Sequence, residues 1–314
     1  MKKISELYHS PLLKLVSDAH LVHVRHHSAE EIQVCHLISV KTGGCTENCK
    51  YCSQSIHNPT GLKAFVMDFE EVMERAREAK AMGASRVCLG CAWRSPPKGL
   101  IFDRLVDVIK RIRVELGIEV CCTMGMLSKD QAERLKEAGL YAYNHNLDTS
   151  RRFYPEIITT RTYDERLETL SLVSKTGLSV CCGGILGLGE NEEDRIALIE
   201  ELARLTPDSV PVNLLYPVKG TPLEIAPPIS FWELLRFIAA TRITLPKAII
   251  RVTAGRDRLS VQEHALCFLA GANSLFIGEK HLTVANHTPD WDGEMFEVLG
   301  LKKMEAYASS HSSL

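Results

Sequence analysis

Residues 44–54 read GCTENCKYCSQ, and Cys45, Cys49 and Cys52 within them form a C-x3-C-x2-C pattern. Three thiolates on one short loop can hold three irons of a cubane 4Fe–4S cluster and leave the fourth iron an open coordination position. An open position on a metal centre signals chemistry rather than structure. The alternative is a structural zinc knuckle that borrows a distant His or Cys. Zinc sites usually come as paired C-x2–4-C units, however, and no second unit follows near this loop.

Three further cysteines, Cys88, Cys121 and Cys181, fall in separate strand-like runs, and Arg251 falls in another. A lone strand cysteine is more often a small core hydrophobe than a ligand. Three of them in separate strands of one barrel, joined by a mid-strand arginine, are harder to dismiss as core packing. An unpaired arginine in a barrel core is costly and calls for an anionic or metal partner. An internal salt bridge is the competing explanation, with Asp148 as the candidate carboxylate.

The elements that must position these residues follow from periodicity. Short β-branched or apolar runs at 33–42, 86–92, 119–125, 141–148, 178–186, 209–216, 248–254 and 274–278 read as strands. Between them lie segments such as 69–82 and 164–176, with apolar residues at three- and four-residue spacing, which read as helices. Alternating strands and helices imply βαβ units and a parallel sheet. Eight strands in a chain of this length predict a (β/α)8 TIM-type barrel, with function at the C-terminal strand ends. An open doubly wound sheet is the alternative. Residues 1–32 read as an N-terminal helical cap, with Ser28 and Glu31 at capping-box spacing. No Pro/Gly/Ser-rich linker splits the chain, so residues 1–314 read as one domain.

Composition narrows the class. The chain has 314 residues, 45% of them hydrophobic and 24% charged, with a formal net charge of −2. Such a balance gives no global field to recruit nucleic acid or an anionic membrane. Charged and polar residues interrupt every apolar run near the start, so neither a signal peptide nor a membrane span is expected there. The expected address is cytoplasmic. The 11 cysteines would then sit in reducing surroundings, where they serve as small hydrophobes or metal ligands rather than disulfides.

The cysteine loop, with Tyr51 before its last cysteine, resembles the signature of the radical S-adenosylmethionine superfamily. The segments CTENCKYCSQS, YNHNLDTS, IITTRTYDERL, GGILGLGE, VPVNLLYPVKGTPL and RVTAGR resemble those of the biotin synthase family, from about residue 30 to 303. The resemblance implies S-adenosylmethionine chelated at the open iron, cleaved by one electron to a 5′-deoxyadenosyl radical, and sulfur inserted into dethiobiotin. It implies that Cys88, Cys121, Cys181 and Arg251 hold an auxiliary 2Fe–2S cluster whose bridging sulfide is the sulfur donor. It places Asn146 and Asn213 on the ureido ring, Asp148 on the ribose, Arg166 on the methionyl carboxylate and Tyr51 near the adenine. These assignments suit the chemistry of the groups, since amides both donate and accept and a guanidinium can fork onto a carboxylate. Without the resemblance, Arg166 in DERL reads as a solvated helix charge. His145 carries no assignment, because alternation points it away from Asn146.

The chain departs from the family pattern at Cys91, Cys122 and Cys182, which stand beside the second set. Alternation turns Cys122 and Cys182 toward the helices if Cys121 and Cys181 face the lumen. Glycines 90, 125, 183 and 184 nevertheless permit bulges that re-aim neighbours. The crowding of three extra thiols around one site suggests a larger auxiliary cluster of four irons, with Arg251 as a bystander or hydrogen-bond donor. Cys35 and Cys267 read as buried and inert. The expected partners are an electron donor of flavodoxin or ferredoxin type, iron–sulfur assembly proteins and a second copy of the chain. The competing function is another radical barrel enzyme, of the hydrogenase-cofactor maturase or methylornithine mutase type. A cluster-bearing binding protein without turnover is the rival from outside enzymology.

Overall fold

The computed structural model describes residues 3–278 and 280–306. Nine strand segments build the central sheet: β1 Glu31–Thr42, β2 Arg86–Cys91, β3 Glu119–Thr123, β4 Ala142–Asn144, β5 Ser179–Cys181, β6 Gly184–Leu186, β7 Ser209–Leu214, β8 Ile249–Val252 and β9 Ser274–Ile277. All pairings among them are parallel, and β9 returns to pair with β1, so the sheet closes into a barrel. Segments β5 and β6 form one stave, which makes eight staves in all. Helices follow the strands as the alternating pattern predicts, for instance Phe69–Ala81 and Tyr163–Lys175. The strands are buried on both faces, as in RVCLGC of β2, because helices cover the outside and side chains fill the lumen.

The break between β5 and β6 has a steric cause. At Gly183 a Cβ would lie 1.9 Å from the Pro211 carbonyl oxygen on β7, so only glycine lets the two backbones approach. The expected strand over 178–186 is therefore interrupted at Cys182 and Gly183. The strand expected over 141–148 stops at Asn144, and Asp148 beyond it adopts φ 66°, in the left-handed region. Both departures lie at the C-terminal end of the barrel, where the candidate site is.

The N-terminal cap consists of helices Ile4–Tyr8 and Leu12–His26, which pack on the outer helices Glu192–Leu205 and Phe231–Thr244. Tyr8 anchors it: its hydroxyl donates to Glu233 Oε2 at 3.2 Å and accepts from Arg195 Nε at 3.2 Å. The capping box expected at Ser28 and Glu31 does not form. Glu31 opens β1, and Ser28 Oγ only accepts the Glu30 amide in the intervening turn. Boxes do form at Ser128, Thr162, Asn191 and Ser260, each with its N3 partner at the head of a real helix. Among the described residues no helix is long and apolar enough to cross a membrane.

Candidate active site

One cavity runs from the C-terminal mouth of the barrel into its lumen. Cys45, Cys49 and Cys52 line it at the mouth, on the loop that follows β1. The loop is held by groups the sequence did not single out. Asn58 Nδ2 donates to the carbonyls of Cys49 at 3.0 Å and Cys52 at 2.8 Å. Glu47, inside the cysteine pattern, is buried and takes salt bridges from Arg94 at 2.8 Å and Arg161 at 3.2 Å. The loop's curvature is thus fixed by a buried carboxylate and a side-chain amide, and its thiols are left for other work.

Burial pushes the Cys49 thiol well up from its ordinary range and the Cys52 thiol up to about 11. Iron that binds there must displace their protons. Among the described residues no three His, Cys, Asp or Glu side chains converge on a single ion position. A multi-iron cluster does not ask for such convergence, because its ligands surround a body several atoms wide. Three thiols facing one cavity, with room beside them, fit a cubane that leaves an iron open.

Below the mouth, the turn after β4 carries the polar residues. Asp148 Oδ2 accepts from Arg166 Nη2 at 2.7 Å and from Tyr51 Oη at 2.9 Å. Arg166 also donates through Nε to Tyr154 Oη at 2.7 Å and through Nη1 to the Asn146 carbonyl. It is buried, so its reading as a solvated helix charge does not hold. Asn146 Oδ1 accepts from the Gly183 amide at 3.1 Å and from Asn144 Nδ2 at 2.9 Å, which leaves its amide nitrogen free of these bonds and able to donate. Asn213, on β7, donates to the Gly184 carbonyl at 3.0 Å and accepts from Thr253 Oγ1 at 2.6 Å. His145 is buried; burial, then the Arg166 and Arg161 guanidiniums, holds it well below its usual range. It sits as a neutral ring beside Arg161, with 3.4 Å between its Nε2 and Arg161 Nη1.

Cys88, Cys121 and Cys181 meet in the lumen, as their parity requires, in one apolar pocket with Ala142 and Phe276. The structure adds a thiol to them: Cys35 of β1, read from sequence as inert, belongs to the same lumen group. Cys122 and Cys182 are instead packed in the outer core between barrel and helices, with Cys267. Cys91 lies at the top of β2, in register with Lys41, and lines the cavity near its mouth.

The lumen floor is polar. Arg86 Nη2 pairs with Glu119 Oε2 at 2.6 Å, both fully buried. Arg251 does not pair with Asp148, which Arg166 holds; its Nε donates to Ser274 Oγ at 2.8 Å and its Nη2 to Gln33 Oε1 at 2.9 Å. Arg251 Nη1 lies 4.0 Å from the Cys181 sulfur. The hydrogen bond from the Cys121 thiol, aided by the Arg251 charge against the effect of burial, lowers the Cys181 thiol to about 6.

The chain matches known family models and proteins over most of its length. Residues 39–202 match the family model of the Radical SAM superfamily, and residues 211–302 match that of the Biotin and Thiamin Synthesis associated domain. The biotin synthase of Chlamydia pneumoniae is 52% identical over 304 residues, covering 96% of this chain and 92% of that protein. The mitochondrial biotin synthase of Arabidopsis thaliana is 53% identical over 303 residues, covering 95% of this chain and 80% of that protein. Among solved structures, methylornithine synthase superposes with a TM-score of 0.82 at 21% identity, covering 98% of this chain and 94% of that one. The FeFe-hydrogenase maturase from Carboxydothermus hydrogenoformans gives 0.80 at 20% identity, covering 96% and 74%. At such identities these two structures speak for the fold alone.

Proposed function

The chain belongs to the biotin synthase family, radical S-adenosylmethionine enzymes that insert sulfur into dethiobiotin, and from that premise we propose how its residues divide the work. S-adenosylmethionine and an iron–sulfur cluster are its cofactors. The observation that carries the division is the single cavity with three thiols at its mouth, amides at its middle and a separate thiol group at its floor. When bound, a 4Fe–4S cluster at the mouth would supply the electron that cleaves S-adenosylmethionine, and an auxiliary cluster at the floor would supply sulfur.

Cys45, Cys49 and Cys52 would hold the upper group, and Cys88, Cys121 and Cys181 the lower one. The Asp148 Oδ1 oxygen, which takes neither the Arg166 nor the Tyr51 bond, can accept from a ribose hydroxyl. Arg166 keeps N–H donors for a carboxylate while fixing the strand end that bears Asn146 and Asp148. The Asn146 amide nitrogen and the Asn213 amide would read the two faces of a ureido group, donor to acceptor and acceptor to donor. Tyr51, tied to Asp148, would lie along the adenine. The protein's contribution is thus binding, orientation and exclusion of water around a radical formed elsewhere in the cavity.

The same reading extends to partners: an electron donor of flavodoxin or ferredoxin type, assembly proteins that rebuild the lower cluster, a second copy of the chain, and a cytoplasmic address. The test is isotopic. Protein reconstituted anaerobically with heavy sulfide in its clusters, reduced, and given S-adenosylmethionine and dethiobiotin should form 5′-deoxyadenosine and heavy-sulfur biotin. Formation of 5′-deoxyadenosine with no biotin from any sulfur source would overturn the division.

A further inference from the structure

We propose that the outer side of the cysteine loop is a docking face for a small acidic protein that carries one electron. Ile56, Leu62, Phe65 and Val66 form its apolar centre, and Lys50 and Lys63 its charged rim. The inference rests on the reading that Cys45, Cys49 and Cys52 hold the group that accepts the electron, and it names where that electron enters.

The patch is built onto the loop. The Ile56 amide donates to the Cys45 carbonyl at 2.9 Å and the Cys45 amide to the Gln54 carbonyl at 2.9 Å, so Ile56 rides on the backbone of a proposed ligand. The short strand Phe65–Val66 runs antiparallel to the end of β1, with Phe65 opposite Thr42 and Val66 opposite Lys41. Ala64 closes on the turn between them: a Cβ on Gly44 would lie 3.1 Å from the Ala64 Cβ. Ile56 is 61% exposed, Phe65 51% and Val66 44%. The three cysteines line the cavity, and none of these apolar side chains does. The loop thus has an inner side for substrate and an outer side that presents large apolar groups to water. A single exposed apolar residue is ordinary, but four within residues 56–66 form the kind of patch that marks a protein contact.

Charge selects the partner. From Gly44 to Met67 the chain carries one carboxylate, Glu47, and it is buried against Arg94 and Arg161. The exposed side chains of fixed charge in that stretch are Lys50 and Lys63. The first carboxylate beyond it, Asp68, is turned to the head of the helix Phe69–Ala81, where it accepts the Glu70 amide at 2.9 Å. The whole chain has a formal net charge of −2, so this face departs in sign from the rest. A positive rim around an apolar centre attracts a negatively charged protein from a distance. Small contacts of this kind suit an electron carrier, which must leave after each delivery. A second copy of the chain would instead bring the same lysines together across a two-fold contact. The balance is one for one: each contact oxidises the carrier by one electron, and that electron passes inward to the sulfonium and breaks one carbon–sulfur bond.

The test compares the loaded full chain with its Ile56→Glu, Lys63→Glu and Phe65→Glu variants under two reductants. One is a purified acidic flavodoxin in its hydroquinone form; the other is dithionite, a small molecule that needs no docking face. Binding of labelled oxidised flavodoxin is read by fluorescence anisotropy, and 5′-deoxyadenosine is measured with each reductant. Each variant should raise the Kd for flavodoxin, and the flavodoxin concentration that half-saturates turnover, about tenfold. Turnover with dithionite should be unchanged. Lys63→Glu should also flatten the salt dependence of binding, and Lys63→Arg should behave as the unaltered protein. Unchanged flavodoxin binding in all three Glu variants would overturn the proposal. An equal loss with both reductants would overturn it too, by assigning these residues to the support of the loop. Dissociation of a dimer in the variants, with flavodoxin binding unchanged, would give the face to a second copy and overturn it likewise. An unaltered protein that forms no 5′-deoxyadenosine with dithionite would overturn the reading of the upper loop itself, and this proposal with it.

Discussion

Arg166 Nη2 donates to Asp148 Oδ2 across 2.7 Å, and both side chains are almost wholly buried. The pair joins the helix Tyr163–Lys175 to the turn after β4, so one contact sets both a ligand carboxylate and the backbone beside it. Removing one partner strands the other charge, at a cost of about 3–5 kcal/mol. Arg166→Met and Asp148→Asn should each lower the unfolding free energy of the iron-free protein, read from urea titration, by an amount of that order. The double variant should recover part of the loss while binding S-adenosylmethionine as poorly as either single one. Additive losses in stability would show that the two residues act independently.

The amides make a directional prediction. Asn146 Oδ1 is occupied by the Gly183 amide and Asn144, so its remaining capacity is to donate. Asn146→Asp keeps the Gly183 bond but removes the donor and adds a charge. It should weaken dethiobiotin binding at least as much as Asn146→Ala, each by about 10- to 100-fold, the equivalent of roughly 1–3 kcal/mol for an unpaired ligand group. Asn213→Ala should cost a similar amount. Equilibrium binding of labelled dethiobiotin to the loaded protein measures all three, and equal affinity for Asn146→Asp and the unaltered protein would place the ureido group elsewhere.

Much of this was legible in the sequence, and the illegible part has physical reasons. Eight apolar runs alternating with helical periods were enough for a closed barrel, and parity along β3 and β5 put Cys121 and Cys181 on one face and Cys122 and Cys182 on the other. Parity along β1 gave no such help, because nothing in QVCHLIS marks which face meets the lumen when both are buried. Cys35 therefore looked like any core thiol until the register with β2 was known. Glu47 was hidden for a different reason. A carboxylate in a loop reads as solvated, and only the approach of Arg94 and Arg161 from distant segments buries it. The Ser28 box failed because spacing alone cannot distinguish a helix start from a turn into a strand.

Glu47 leads to a prediction about the loop itself. Replacing Cys45, Cys49 or Cys52 with Ala should abolish 5′-deoxyadenosine formation outright. Glu47→Gln touches no proposed ligand, yet it leaves the buried Arg161 without its carboxylate. It should load iron normally at first and then release it to a chelator several-fold faster than the unaltered protein, with slower release of the lower-centre iron unaffected. Chelator kinetics followed by visible absorbance distinguish the two pools. Identical release from both proteins would show that the loop holds its shape without the carboxylate.

The last prediction concerns acid. His264 lies wholly buried between Arg256 and the head of its own helix: its Nε2 accepts from Arg256 Nε at 3.3 Å, while Nδ1 lies 3.0 Å from the Ser260 carbonyl. That geometry requires the neutral ring with its proton on Nδ1. Burial, then the Arg256 charge, pushes His264 down to about 3, and burial together with the Arg242 charge pushes His23 down to about 3 as well. A histidine depressed in the folded state stabilises the protein fully above its unfolded value of about 6.5, and the contribution is lost as pH falls toward the folded value. The unfolded chain takes up protons in that window and the folded chain does not. Each such group then adds a limiting slope of about 1.4 kcal/mol per pH unit to the loss. The urea midpoint of the iron-free protein should fall steadily between about pH 6.5 and about pH 4.5. His264→Gln, whose amide can still accept from Arg256 and donate to Ser260, should start from a similar midpoint at neutral pH and fall less steeply. Parallel curves for the two proteins would mean that His264 takes up its proton in the folded state.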